Sequence, residues 1–218
     1  MLNHTIELLN ERYNDGLDQL IERQVEAATV ITEVRPAYFG EKGPSKEQLV
    51  ELAKKLDKLL IYGGHVFIKA SFEMLGKVID AFNDSCFRFK NILVIPGKSE
   101  VLDTTCTCHL NKFWKSGESY IAFFTHGTGR PFNFTKLLNP ELTNQYPSNW
   151  TTYFDGTLIE AYEILMKISC GHQDIILDPF MFDASVGVAA INSDRHYIGI
   201  EGTHLYKLCA RRLDETFE

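Results

Sequence analysis

The sequence predicts an α/β fold built on a mostly parallel sheet, and three observations carry that expectation. Segments of helical periodicity alternate with β-branched, apolar runs along the chain, the order that lays helices on the faces of a parallel sheet. Two of the apolar runs end in acidic positions, Asp178 and Glu201, about 20 residues apart with a helical pattern between them; this is the βαβ spacing of a nucleotide-type cofactor crevice. The 218 residues suffice for one well-packed domain but not for two substantial ones, and no internal repeat or low-complexity linker divides them, so residues 1–218 read as a single domain.

The elements follow in order. LDQLIERQVEAA (17–28) has the pattern of a helix, and ATVITE (28–33) is a β-branched strand that stops at the turn-prone RPAYFG of 35–40, where Pro36 and Gly40 interrupt regular structure. Ser45 stands as an N-cap ahead of KEQLVELAKKLDKLL, in which Leu49, Leu52, Leu56 and Leu59 recur at helical spacing, so this helix buries one face. Gly63 and Gly64 are expected to end it, with HVFIKAS (65–71) as a buried strand, residues 72–82 as a helix and NILVI (91–95) as the next strand. Residues 97–156 hold Gly97, Gly117, Gly127, Gly129, Pro131, Pro140 and Pro147 around one clear strand, SYIAFF (119–124), and read as an insertion or target-recognition region. Regularity returns with the helix LIEAYEILMKIS (158–169), the strand DIILDPF (174–180), a helix through VGVAAINS, the strand YIGIE (197–201) and a last helix, HLYKLCARRL.

Composition narrows the function classes. Charged residues at 23% and hydrophobic residues at 44% are globular values, which excludes a disordered tail, a collagenous repeat and a small disulfide scaffold. No apolar run reaches the roughly 18 residues of a membrane span, and Glu7, Asn10 and Glu11 interrupt the apolar amino-terminal positions, unlike a signal peptide. The five cysteines, Cys86, Cys106, Cys108, Cys170 and Cys209, are odd in number and scattered, as in a reducing compartment, so a soluble cytoplasmic protein is expected. A net charge of −7 argues against a surface that grips phosphates throughout, and leaves room for a local basic cleft. Lys112, Lys115, Arg130 and Lys136, interleaved with Phe113, Trp114, Phe132 and Phe134, are the candidate nucleic-acid surface; the competing reading is a partly packed loop with solvated basic tips. Cys106-x-Cys108-His109 does not have the spacing of an ordinary zinc site, and no metal is expected.

The segment IILDPFMFDASVGVAAINSDRHYIGIE resembles the cofactor motif of the permuted (beta-type) DNA amino-methyltransferases, approximately VLDPFxGSGTTxxAAxxxxRxxIGIE. Those enzymes use S-adenosylmethionine to methylate adenine N6 or cytosine N4. TLIEAYEILMKISCGHQ is similar to the helix that precedes the motif in that family, and GIEGTHLYKLCARRLDE to the family's ending. Towards the start, the stretch from His4 to Gly40, LLIYGGHVFIKAS, FRFKNILVI and ESYIAFF resemble successive family segments, so the resemblance covers nearly the whole chain in order. It implies a Rossmann-like class I S-adenosylmethionine methyltransferase fold: a seven-stranded, mostly parallel sheet with one antiparallel strand and helices on both faces.

The motifs that carry the family's chemistry depart from its pattern. In the family, a D-P-P-Y loop offers an acidic side chain and a main-chain carbonyl to the target amine, while its aromatic residue stacks on the flipped base. Here the loop reads Arg35-Pro36-Ala37-Tyr38. Arginine has only donors and a permanent positive charge, so Arg35 cannot accept a hydrogen bond from the amine and opposes the charge that develops on nitrogen. Tyr38 and Phe39 remain as aromatic faces for a base, and Glu33, two residues upstream, reaches the acceptor's place only after a register shift.

The family's F-x-G-x-G-x-x-G reads Phe180-Met181-Phe182-Asp183-Ala184-Ser185-Val186-Gly187. Phe182 is expected to put a ring where the methionine moiety lies, Ala184 to add a methyl, and Asp183 to bring negative charge near a carboxylate-bearing ligand. The family's Lys-Pro pair is Thr157-Leu158 here. Asp178, Phe180, Gly187 and Glu201 survive, the last implied by the resemblance to accept hydrogen bonds from ribose hydroxyls. Asp178-Pro179-Phe180 and Gly199 have equally plain roles in ending and packing strands. Two sites have lost the groups that their chemistry requires. The expectation is a degenerate DNA methyltransferase-like protein, catalytically impaired, for which S-adenosylmethionine is the cofactor by resemblance and which binds DNA, a protein partner or a second copy of itself. A link to restriction-modification rests on the resemblance alone. An active enzyme with an unusual pocket and a nucleoside-binding regulatory protein stay open as alternatives.

Overall fold

The computed structural model describes residues 5–40, 43–95, 119–132 and 157–217. Lys112, Lys115, Lys136, Phe113, Trp114, Phe134, Cys106, Cys108 and His109 lie outside the described residues, as does most of the 97–156 region. In chain order the elements are β1 (Ile6–Leu9), α1 (Tyr13–Glu22), β2 (Ala27–Val34), a single 3-10 turn (Pro36–Tyr38), α2 (Lys46–Leu59), β3 (Leu60–Ala70), α3 (Phe72–Asn83), β4 (Phe87–Ile95), β5 (Ser119–His126), α4 (Leu158–Ser169), β6 (Ile175–Asp178), α5 (Ser185–Asn192), β7 (His196–Ile200) and α6 (Tyr206–Phe217).

The strands form one seven-stranded sheet in the order β1-β7-β6-β2-β3-β5-β4. All neighbours run parallel except β5, which is antiparallel to both β3 and β4, so the sheet is mostly parallel with one reversed strand, as expected. Strand alternation splits the core between two faces. Val30, Val34, Val66, Ile68 and Leu177 meet Leu17, Leu49, Leu52 and Val78 of α1, α2 and α3. Ile31, Phe67, Phe123 and Ile176 meet Leu165, Ala189 and Leu213 of α4, α5 and α6. Helices therefore cover both faces. Among the described residues no helix is long and apolar enough to cross a membrane, and Cys86, Cys170 and Cys209 are free thiols.

Several element boundaries differ from expectation. Helix α1 spans Tyr13–Glu22 rather than 17–28, because Gln24 takes a left-handed φ of 54° and the Val25 N–H turns back to the Leu20 carbonyl. Strand β1, which the pattern left unassigned, pairs with β7 at the sheet edge. Gly63 and Gly64 do not end α2; that helix stops at Leu59, and both glycines lie within β3. They sit where the β2–β3 register jumps from Ala27↔Leu60 to Thr29↔His65. A Cβ at position 64 would stand 2.9 Å from the Ala28 carbonyl oxygen, so the bulge needs the missing side chain.

The topology locates the crevice. From β6 the chain moves outward through α5 to β7, and from the adjacent β2 it moves the other way through α2 to β3. Between β6 and β2 the winding reverses, and open α/β sheets bind ligands beyond the carboxyl ends of strands at such a switch point. Here those ends are Asp178 and Val34, followed directly by Pro179–Ala184 and Arg35–Gly40.

Candidate functional site

Asp178 is fully buried at the end of β6. Its Oδ1 accepts hydrogen bonds from Thr32 Oγ1 at 2.7 Å and from the Phe180 N–H at 3.2 Å, and its Oδ2 accepts one from the Tyr197 hydroxyl at 3.1 Å. These partners staple β6 to β2 and β7. Burial pushes the carboxyl up to about 7 in spite of the three donors.

Glu201, just beyond β7, is 1% exposed, and both its oxygens are engaged. Oε1 accepts from the Thr203 N–H at 2.9 Å; Oε2 accepts from the Phe182 N–H at 3.1 Å and from the Tyr38 hydroxyl at 2.6 Å. Burial, together with the Glu201 carboxylate, raises the Tyr38 phenol far above its ordinary value, so it stays protonated and donates. Glu201, beyond β7, is thus held by Tyr38 of the segment that follows β2.

The turn between β6 and α5 keeps a glycine-like backbone without the glycines. Phe182 has φ 50° and Ala184 φ 60°, the left-handed region, at the two positions where the family pattern has glycine. Such a conformation costs an L-residue roughly 1–2 kcal/mol. Asp183 supports it, since its Oδ1 accepts from the Ser185 N–H at 3.0 Å and its Oδ2 from the Ser185 hydroxyl at 2.8 Å. Arg212 of α6 donates to the Asp183 carbonyl at 2.5 Å. Asp183, one residue before the Ala184 N-cap, therefore accepts from the first residue of α5 as well as adding charge. Gly187 is a packing glycine, because a Cβ there would lie 2.7 Å from Leu213 Cδ2 and 3.1 Å from the Tyr197 ring.

Arg35 and Phe182, the two changes that look independent along the chain, touch. The guanidinium carbon of Arg35 lies 3.3 Å from the centroid of the Phe182 ring, a cation–π contact. Arg35 Nε also pairs with Glu33 Oε1 at 2.8 Å, and Lys69 Nζ pairs with Glu33 Oε2 at 2.8 Å. Both oxygens of Glu33 face cations, Lys69 of β3 and Arg35 just past β2, so this carboxylate is already paired. Tyr38 and Phe39 pack on Phe180, with ring centroids 4.8 and 5.5 Å away, and Tyr13 joins them at 4.9 Å from Phe180. Pro36 and Ala37 form the exposed tip of the loop.

Two further expectations separate from this cluster. Arg130 lies at the opposite end of the sheet, its N–H bonded to the Gly63 carbonyl and its guanidinium within 3.6 Å of Asp174, which precedes β6. Thr157 N-caps α4 in a capping box with Glu160, an ordinary helix-start role. Tyr13, Lys69, Thr203 and Arg212 join the site through tertiary contacts, and nothing in their sequence spacing marks them.

No protein-family model and no curated protein matches the sequence. Solved structures do match its fold. M1.HpyAVI in complex with S-adenosylmethionine superposes with a TM-score of 0.71 at 16% identity, over 98% of this chain and 100% of that one. TTHA0409 of Thermus thermophilus, assigned as a DNA modification methylase, gives 0.72 at 17% identity over 98% and 95%. The PvuII cytosine-N4-specific DNA methyltransferase gives 0.71 at 12% identity over 99% and 92%. The chain has the fold of these DNA methyltransferases along nearly its whole length.

Proposed function

We propose that this chain is a DNA methyltransferase-like protein impaired in methyl transfer, which acts by binding DNA or a protein partner. The observation that carries the reading is the Tyr38–Glu201 hydrogen bond, which ties the catalytic-type loop to the cofactor-type loop. Methyl transfer to an amine needs a pre-placed acceptor for the charge developing on nitrogen. Position 35 supplies a cation instead, and Glu33 is neutralised between Arg35 and Lys69. The residues present do not fit S-adenosylmethionine as arranged: both oxygens of the buried Glu201 already accept hydrogen bonds, Tyr38 among the donors, and Phe182 occupies a glycine position under Arg35. The net charge of −7 favours a protein partner, a second copy included, over DNA alone.

Calorimetry with S-adenosylmethionine and its demethylated product tests the reading. No heat at millimolar ligand is expected, and micromolar binding with methylation of duplex DNA would overturn it. Arg35→Asp combined with Phe182→Gly is expected to leave methylation undetectable, because Ala37, Ala184 and Thr157 also depart from the pattern. A second reading, an active enzyme with an unusual pocket, draws support from the left-handed backbone kept at Phe182 and Ala184. The same assay separates the two.

A further inference from the structure

Arg35 and Tyr38, on one short segment beyond β2, reach Phe182 and Glu201 through contacts of two different kinds. Tyr38 places a hydroxyl on Glu201 at 2.6 Å, and Arg35 lies over Phe182 at 3.3 Å. Neither contact belongs to the strand ladders of the sheet. The loop's own regular structure is a single 3-10 turn, and the tip between the two contacts, Pro36 and Ala37, is exposed. A phenol donating to a buried carboxylate makes the same bond that a sugar hydroxyl would make there, so the chain supplies its own occupant for Glu201.

We propose that the segment Arg35–Gly40 is an autoinhibitory latch: Tyr38 on Glu201 and Arg35 on Phe182 hold the crevice shut, and a ligand bearing a vicinal diol enters only by displacing the Tyr38 hydroxyl. This rests on the crevice assignment above and deepens it, because it names the group that stands between Glu201 and any ligand. Lys69, Glu33 and Arg35 form the hinge side, since Glu33 ties Arg35 to β2 while Lys69 balances the second oxygen. The aromatic cluster of Tyr13, Phe39 and Phe180 is the seat into which the closed segment packs. With the Phe182 ring beside the entrance, a nucleoside without an amino-acid tail is the ligand class that fits an opened latch best.

The test compares adenosine affinity in the wild-type chain and in Tyr38→Phe by calorimetry. The phenylalanine keeps the ring on Phe180 and removes only the hydroxyl. A hydrogen bond to a charged acceptor corresponds to about a ten- to hundredfold change in an equilibrium constant, so Tyr38→Phe is expected to bind adenosine that much more tightly. Arg35→Ala releases the other contact, is expected to act in the same direction, and decides the matter if Tyr38→Phe fails to fold. Amide exchange across residues 37–40 is expected to quicken in both variants. Affinities that agree within about threefold, or no adenosine binding by any of the three proteins, overturn the latch. A methylation assay on the wild-type chain is read separately: turnover would overturn the impaired-enzyme reading, while the affinity ratio still judges the latch.

Discussion

At the scale of single residues, the site is defined by what its side chains have already bound. Asp178 shows how a motif residue can be structural: Thr32, Phe180 and Tyr197 use its acceptors, and burial raises it from an ordinary 3.8 to about 7. A carboxyl whose folded value lies above its unfolded value binds more protons in the fold, so its contribution to stability is complete below about 4 and lost as pH rises through about 7. Urea midpoints measured from pH 4 to 8 are expected to fall across that window, and Asp178→Asn is expected to flatten the fall, since an amide does not titrate, keeps an acceptor for Thr32 and Phe180, and donates to a Tyr197 hydroxyl that turns to accept. An unchanged slope in the variant would assign the titration to another group. The presence of Asp178, Glu201, Arg35 and Phe182 is legible in the sequence. Their partners are not, because the Arg35–Phe182 and Tyr38–Glu201 contacts join residues far apart along the chain.

At the scale of elements, boundaries are predictable where a side chain marks them. Ser45 and Thr157 each accept a hydrogen bond from the backbone N–H three residues on, and the helices after them begin where the sequence predicts. Thr157→Ala is expected to lower unfolding free energy by about 1 kcal/mol in urea titrations, with no change in ligand binding. Where no cap marks the boundary, the periodic pattern misleads. The apolar spacing of 17–28 continues past Gln24, whose left-handed backbone ends α1, and Gly63 and Gly64 serve a bulge rather than a helix end. Helix packing at the site depends on a missing side chain at Gly187. Gly187→Ala would drive a methyl into Leu213 and Tyr197, and a loss of about 1–3 kcal/mol is expected in the same titrations. A wild-type midpoint for that variant would show that α5 moves away from α6 at little cost.

At the scale of the whole molecule, the reversal of winding between β6 and β2 brings two loops together, and that juxtaposition decides which of the basic residues can matter there. Arg130 is at the far end of the sheet, and Arg35 is committed to Glu33 and Phe182. If the chain binds duplex DNA, Arg35→Ala is expected to leave the salt dependence of that binding unchanged in anisotropy titrations. A shallower slope would mean that Arg35 neutralises a phosphate. The alternation of patterns along the chain determined the α/β class by itself, and the resemblance of its ordered motifs implied the seven-stranded sheet with one reversed strand, because periodicity and strand-end residues are local properties. The resemblance also marked where the segments Arg35–Tyr38 and Phe180–Gly187 depart from the family's pattern. Only the tertiary structure decided that the two altered loops hold each other, that Glu33 is neutralised in the sheet and that the surviving Glu201 is occupied by Tyr38. Those outcomes depend on distances between residues remote along the chain, which no local pattern encodes.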